Sequence, residues 1–280
     1  MAERDQRWTI FEGLRRLGPR FVLDVLRDVL SGEQRSLAED AGRVVSLMDP
    51  APRIAGLDRV PRSDPFVLVA NHYQTSDLWV GWAAAALTHA VATVREPDRR
   101  ELHWLAISEW RWFEIAGRWI PNPITSLLFP RAAKSWGMVS LPARPSDVSG
   151  RARALRRVLA YLGHPAKAGN PHPEPVGVFP EGRATYTLQK ALPGSGAFLW
   201  KINSLGVPLL PAGVYLEDGA LVLSFGRPFH LRNRPEGTSE SLDDWARTEV
   251  MAAIGQLLPP QLWGAYSSTI AARREYPSFD

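Results

Sequence analysis

Apolar residues recur at helical spacing along the first 50 residues of the chain. Between Pro19 and Gly32 they repeat every three or four positions, and charged residues fall on the opposite face, which predicts an amphipathic helix. The apolar set is Phe21, Val22, Val25, Leu26, Val29 and Leu30. A shorter helix is predicted over residues 8–17. The pattern leaves open whether both helices pack on the main domain or one lies in a lipid interface.

From Arg53 onward, short apolar runs alternate with longer helical stretches. Six runs predict strands, namely Phe66–Ala70, Leu102–Ile107, Gly137–Leu141, Val176–Phe179, Pro208–Tyr215 and Ala220–Phe225. Four stretches predict helices, namely Leu78–Val94, Ser146–Leu162, Ser195–Ser204 and Ser239–Leu258. This alternation is typical of an α/β domain with a mainly parallel central sheet flanked by helices. An Asp218-Gly219 turn between the last two strands predicts one antiparallel hairpin.

The chain is therefore expected to divide into an N-terminal amphipathic helical segment, 1–52, and an α/β domain, 53–280. Its 17 uncharged residues from Leu78 to Val94 are mostly alanine, which favours a buried core helix over a membrane span. The N-terminus has no basic stretch that leads into an apolar one, so no signal peptide is expected.

Composition removes several classes of function. The chain has no cysteine, which excludes a disulfide framework, a zinc–thiolate site and a cysteine nucleophile. The net charge of +4 is uneven, because residues 95–167 hold 13 basic and 6 acidic side chains together with five of the eleven tryptophans. Basic charge with tryptophan suits nucleic acid or a membrane interface. No nucleic-acid recognition motif accompanies it, so the expected partner is an anionic membrane surface and not nucleic acid.

The first candidate for chemistry is the run from Asn71 to Asp77, which follows a predicted strand. Loops at the carboxyl ends of strands hold the sites of open α/β sheets. His72 and Asp77 would lie about 140° apart on a regular helix, so they can pair only if His72 lies in the loop and Asp77 in the first helical turn. Asp77 would then leave one imidazole nitrogen free as a base, with an unperturbed pKa of about 6.5. The alternative is that Asp77 caps the helix and His72 is an ordinary loop residue.

The second candidate is the run Phe179-Pro180-Glu181-Gly182 with Arg183 after it, at the end of another predicted strand. Glycine permits a tight turn at this point, and an arginine can reach an anion. The alternative is an ordinary turn at a strand end.

Together these runs resemble blocks of the glycerolipid acyltransferase family, the 1-acylglycerol-3-phosphate acyltransferases and their relatives. Asn71-His72 through Asp77 is similar to the family's N-H-x-x-x-x-D block, and Phe179–Gly182 is similar to its F-P-E-G block. Val207–Pro211 resembles its apolar V-P-x-x-P block. The resemblance covers roughly residues 54–215.

The resemblance implies transfer of an acyl chain from acyl-CoA or an acyl carrier protein to a hydroxyl of a lysophospholipid or glycerol-phosphate acceptor. His72 would be the general base and Asp77 would orient it, with no cofactor besides the acyl donor as co-substrate and no metal. The implied substrate-binding residues are Asn71, Glu181, Gly182, Arg183 and Arg144. The enzyme would work on the cytoplasmic side of a membrane, as a peripheral or monotopic protein.

Two arginines stand at positions that differ from the family pattern. The family usually has Thr-Arg-Ser after the F-P-E-G glycine, whereas here Arg183 follows Gly182 directly. The family also has an arginine six residues after a glycine that starts a strand, whereas Arg144 comes seven residues after Gly137. Both are phosphate-contact positions by resemblance, so the acceptor stays open. The same chemistry on a non-phosphoglyceride lipid and a catalytically inactive lipid-binding relative are the alternatives.

Overall fold

A computed structural model describes residues 8–109, 111–115, 118–142, 147–163 and 172–275. Within these ranges it has nine α-helices: α1 (Ile10–Leu17), α2 (Pro19–Ser31), α3 (Leu37–Ser46), α4 (Val80–Val94), α5 (Pro123–Ser135), α6 (Val148–Tyr161), α7 (Ser195–Asn203), α8 (Ser239–Gly255) and α9 (Ser267–Glu275). The strands of the same ranges are β1 (Arg53–Ala55), β2 (Val67–Ala70), β3 (His103–Ile107), β4 (Arg111–Ile115), β5 (Arg118–Pro121), β6 (Val139–Leu141), β7 (Val176–Val178), β8 (Leu209–Glu217) and β9 (Ala220–Phe225).

Seven strands form one sheet in the order β1-β9-β8-β2-β7-β3-β6. Every neighbouring pair is parallel except β8 and β9, which are antiparallel. The turn between them places Asp218 and Gly219 at φ 50° and 75°, as the sequence predicts for a tight hairpin. The predicted fold class, a mainly parallel sheet flanked by helices with an N-terminal helical segment, is confirmed.

The central strands and α4 form the middle of the core. All four residues of β2 are fully buried, and α4 contributes small buried side chains such as Ala83, Ala86 and Ala90. Small side chains let a helix approach the sheet closely, which explains the alanine-rich run. No helix of the described ranges is long and apolar enough to cross a membrane.

Some elements differ from the sequence predictions. Helix α4 begins at Val80 and not at Leu78, so Asp77 lies in the loop before the helix. Helix α5 was not predicted, because Pro130 interrupts its pattern. Strand β1 was also not predicted, since its three residues are all exposed at a sheet edge and show no alternation. The predicted helix start at Ser146 lies outside the described residues, and Asp147 is the N-cap of α6.

The N-terminal helices pack against the α/β layer. The indole of Trp82 in α4 donates a hydrogen bond to Thr9 O at 3.1 Å, and the Trp8 and Trp82 rings meet edge to face. Between α2 and α3, the guanidinium of Arg35 makes two hydrogen bonds to Asp40, at 2.8 and 2.7 Å. This packing was one of the two arrangements that the sequence left open, and the division at residue 52 stays a prediction.

The same helices also expose apolar side chains, which we call the apolar face. Its members lie on α1, α2 and the neighbouring α5, namely Phe11, Leu14, Leu23, Leu26, Leu30, Ile124 and Leu127. Phe11 is 85% exposed and Ile124 is 65% exposed. Two of the tryptophans from the basic segment lie elsewhere, since Trp104 is buried and Trp136 bonds inward to Asp40. Five of the 14 large apolar side chains that are exposed among the described residues therefore lie on α1 and α2.

Candidate active site

Two loops meet at the carboxyl edge of the sheet. Strands β2 and β7 are parallel neighbours, so the loops that follow them, 71–79 and 179–194, leave the same edge side by side. The Thr185 N–H donates to His72 O at 2.8 Å, and the Gln74 N–H donates to Thr185 O at 3.0 Å. The two motifs that the sequence analysis selected are therefore hydrogen-bonded to each other through the main chain.

The carboxylate of Glu181 reinforces this junction from inside. The residue is 1% exposed, and its Oε2 accepts from the His72 N–H at 2.7 Å while its Oε1 accepts from the Gln189 N–H at 2.7 Å. Burial raises the pKa of Glu181, and the N–H groups of Gln189 and His72 oppose that rise. Both oxygens therefore bond the main chain of the loops, whereas the sequence analysis placed Glu181 among the substrate-binding residues.

The turn after Glu181 requires glycine. Gly182 has φ 63°, and a Cβ built on it would lie 2.1 Å from Cδ1 of Leu192. Its N–H closes the turn onto Phe179 O at 3.0 Å. Arg183 follows with an exposed side chain, so its cationic group is available at the surface of the site.

Asn71 holds the start of the first loop. Its side chain is 4% exposed, and its amide donates to Val214 O at 2.8 Å and accepts from Val214 N at 2.7 Å. Strand β2 pairs with β8 only as far as Ala70 and Ala212. The Asn71 amide thus continues the hydrogen bonding of β2 to β8 beyond the end of the strand, and this contact anchors the loop.

The imidazole of His72 lies on the ring of Phe179, with centroids 4.5 Å apart and planes inclined by 10°. Its Nδ1 is buried and has no hydrogen-bond partner among the residues that the structure describes. Burial lowers the pKa of His72 to about 4, and the main chain of Arg183 partly opposes this effect. The imidazole is therefore neutral near pH 7, which is the form that a general base needs.

Asp77 does not pair with His72. No hydrogen bond or ion pair of the described residues joins the two side chains, and Asp77 lies three residues before α4 with its side chain exposed. The hydroxyl of Thr75 accepts from the N–H groups of Asp77 and Leu78, both at 3.0 Å. These bonds form a turn over residues 75–78, and the helix begins only after it. Trp79 is the N-cap of α4 without a side-chain bond, so Asp77 does not cap the helix either.

An open depression of about 480 Å³ lies beside the first loop. Hydroxyl, carboxylate and aromatic groups line it, from Tyr73, Thr75, Ser76, Asp77, Tyr186 and Leu216. The rings of Tyr73 and Tyr186 are 5.9 Å apart, and Tyr186 is largely exposed while Tyr73 is buried. Asp77 therefore faces a surface that a ligand can reach.

The remaining predicted residue, Arg144, lies outside the described residues. The structure adds Thr185, Gln189 and Phe179 as groups that hold the site, and of these Phe179 and Thr185 lie in or directly after the second candidate run, whereas Gln189 lies outside it. Gln189 acts through its main-chain N–H, which carries no sequence signal, whereas Thr185 acts through its main chain and also through its hydroxyl, which donates to Glu181 Oε1 at 3.4 Å. Among the residues described, no group of three or more histidines and acidic residues is placed to hold a metal ion.

Comparisons with known proteins give only weak structural likeness. No protein-family model matches the chain, and no curated protein matches it. A similar solved structure is the 1-acyl-sn-glycerophosphate acyltransferase PlsC from Thermotoga maritima, at 18% sequence identity and a TM-score of 0.46, over 79% of this chain and 78% of that chain. A likeness of this size carries no argument about family or activity, so the function has to be inferred from this chain's own residues.

Proposed function

We propose that this protein is an acyltransferase that moves an acyl chain from acyl-CoA or an acyl carrier protein to a hydroxyl of a lysophospholipid or glycerol-phosphate acceptor. The observation that carries the proposal is the 2.7 Å hydrogen bond from the His72 N–H to Glu181, residues 109 apart in sequence. It joins the two polar motifs that resemble acyltransferase blocks, at the edge of the sheet where α/β proteins hold their sites.

His72 is the proposed general base. The acceptor hydroxyl is almost un-ionised at neutral pH, so neutral His72 takes its proton as the hydroxyl oxygen attacks the thioester carbonyl carbon. The resulting tetrahedral intermediate collapses, the carbon–sulfur bond breaks, and the sulfur leaves as a thiol with the proton from the imidazolium. No enzyme group is acylated, so donor and acceptor bind together before reaction.

Asp77 and Arg183 have supporting roles in this proposal. An adjustment of the 71–79 loop would bring the Asp77 carboxylate to Nδ1 of His72, the buried ring nitrogen that has no partner. There it would offset the charge of the imidazolium. Arg183 would bind the acceptor phosphate, because its exposed side chain follows the turn that holds Glu181. Arg144 is the second candidate phosphate contact, by resemblance alone.

The proposed site of action is an anionic membrane surface, reached through the apolar face. Large exposed apolar areas mark partner or membrane surfaces. The same helices carry exposed arginines, with the side chains of Arg15 and Arg27 76% and 69% exposed, and each of these arginines is paired with carboxylates of its own helix. Apolar and basic groups on neighbouring helices are typical of proteins that lie in a lipid interface. A long-chain acceptor resides in the bilayer, which fits a peripheral or monotopic enzyme.

A second candidate is a lipid-binding relative without activity. The observation in its favour is that Nδ1 of His72 has no hydrogen bond to Asp77 among the described residues. This candidate predicts acceptor binding without release of free thiol from acyl-CoA.

His72→Gln should lower turnover by at least about a hundredfold, because general-base catalysis contributes about 10²–10⁴ in rate. The assay is release of free coenzyme A with a panel of lysophospholipid acceptors. His230→Gln is the matched control, since His230 is exposed and its neighbour Phe229 pairs with Leu209 at the start of β8, at the opposite edge of the sheet. A folded His72→Gln protein with near-normal turnover would exclude the mechanism. Absence of thiol release from the native protein with every acceptor would favour the inactive relative.

The acid limb of kcat/KM should lie near pH 4 and not near pH 6.5. With a pKa of about 4, about 97% of His72 is neutral at pH 5.5, compared with about 9% for an unperturbed histidine. Activity should therefore be almost the same at pH 5.5 and pH 7.5 and fall only below pH 5. The measurement is a pH–rate profile at low acceptor concentration. A limb near pH 6.5 would show that the imidazole is hydrated in the working enzyme.

Arg183→Ala should raise the acceptor KM by roughly tenfold to a hundredfold, because a charge-assisted contact contributes about 1.5–3 kcal/mol. The donor KM should change little. Arg227→Ala, which removes an exposed arginine after β9, should leave both constants unchanged. Equal changes in the donor and acceptor constants for Arg183→Ala would count against a phosphate contact.

The double variant Leu23→Ser with Leu30→Ser should weaken sedimentation with phosphatidylglycerol-containing vesicles by about tenfold or more, since each apolar side chain loses burial of about 1.5–3 kcal/mol. The matched control is Leu47→Ser with Leu205→Ser, exposed leucines outside the apolar face. High salt should release the native protein only in part, because salt screens the basic groups alone. Native protein that stays in the supernatant with every vesicle composition would refute the membrane proposal.

A further inference from the structure

Three aromatic rings form a stack that runs from the site into the core. The ring of Phe179 lies between the imidazole of His72 and the indole of Trp104, and it is 4.5 Å from each, with planes inclined by 10° and 13°. We call these three residues the ring column. His72 and Phe179 lie in the loops that follow β2 and β7, and Trp104 lies within β3, and these three strands are successive in the sheet.

The inner end of the column is held by a hydrogen bond. The indole Nε1 of Trp104 donates to Oγ1 of Thr88 at 2.8 Å, and the Thr88 hydroxyl donates to Ala84 O at 2.8 Å. Trp104 is 4% exposed and Thr88 is fully buried within α4. The Thr88 hydroxyl thus accepts a hydrogen bond from the indole and donates one to the main chain of its own helix. These two hydrogen bonds fix the position of the Trp104 indole relative to α4.

A glycine makes room for the column. Trp104 of β3 pairs with Gly177 of β7, and a Cβ on Gly177 would lie 2.6 Å from the indole ring. Because Gly177 has no side chain, the Trp104 indole can lie over β7 and reach the ring of Phe179, two residues further along the chain. Packing of this density leaves little freedom for the rings to move.

We propose that Trp104 and Thr88 are positioning residues for the His72 imidazole and act through the ring of Phe179. The inference rests on the proposed function only in naming His72 as the base. Neither residue lies in the motifs that resemble acyltransferase blocks. The column covers one face of the imidazole and limits its tilt, so the direction in which its nitrogens point is set from inside the core.

The column also explains why His72 loses its proton so readily. A covered face excludes water from the charged imidazolium, whereas contact with an aromatic face favours the cation. Burial outweighs the aromatic contact, because the pKa of His72 is lowered to about 4. Removal of the cover should raise this pKa, and replacement of the ring by another apolar group should not.

The test is an NMR titration of the imidazole signals in the intact chain, with the His72 signal identified by its loss in His72→Gln. The chain has six histidines, so the signals can be resolved. Phe179→Ala should raise the pKa of His72 by one unit or more, and Phe179→Leu should keep it low. This measurement needs no substrate, so it separates failure of the column from failure of the proposed acyl transfer.

Thr88→Val tests the hydrogen bond between Trp104 and Thr88, since it removes the hydroxyl and nearly keeps the shape of the side chain. We expect kcat to fall by between about threefold and a hundredfold with an unchanged donor KM, because small misplacements of a reacting group are costly. The pKa of His72 should also shift. Thr88→Ser, which keeps the hydroxyl, should have the native kcat and the native His72 pKa. Trp104→Phe should lower kcat as Thr88→Val does.

The control is Trp263→Phe, which removes another buried indole whose Nε1 bonds Leu258 O away from the column. It should leave the His72 titration unchanged. A folded Thr88→Val protein with the native His72 pKa and native kcat would overturn the proposal. If Thr88→Val does not fold, Trp104→Phe with native values for both would overturn it equally.

Discussion

The buried carboxylate of Glu181 is the contact on which the arrangement of this site depends. It lies between the loops that leave β2 and β7, and it accepts one main-chain N–H from each. Hydrogen bonds to a charged acceptor contribute about 1.5–3 kcal/mol each, yet the pKa of Glu181 is raised, so burial outweighs them. The ionised carboxylate therefore destabilises the fold as pH rises through its raised pKa. A cost of this kind at a loop junction is typical of a residue kept for position and not for stability.

The same junction determines the character of His72. Its main chain is held by Glu181 and Thr185, and its ring is covered by Phe179. The result is a neutral imidazole of low basicity next to an exposed depression that Asp77 lines. A weak base suffices when the other reactant is a reactive thioester, because deprotonation has to accompany attack and not precede it. The burial of His72 and the reaction proposed for it are thus compatible.

The N-terminal helices pack on the domain and also leave apolar side chains exposed, so the proposed lipid contact does not exclude the packing. One side packs through Trp8 and Arg35 onto α4 and α3, and the other side leaves Phe11 and Leu23 exposed. A helix that packs on the domain along one side holds the apolar residues of its other side at a fixed orientation. That arrangement suits attachment to a lipid surface without a membrane-spanning segment.

The sequence by itself determined the layered α/β class, most of the strands and the turns at Gly182 and Asp218-Gly219, because hydrophobic period and glycine conformation are local properties. It also selected His72 and Glu181 as residues of one site. Only the tertiary structure decided that the side chains of Asn71 and Glu181 bond main-chain groups and that Asp77 lies outside the helix. It also decided that the rings of Phe179 and Trp104 stack behind His72 and that Thr88 bonds the Trp104 indole. These features depend on which strands are neighbours and on how deeply each group is buried. Neighbouring strands are set by the packing of the whole sheet, which no short stretch of sequence encodes.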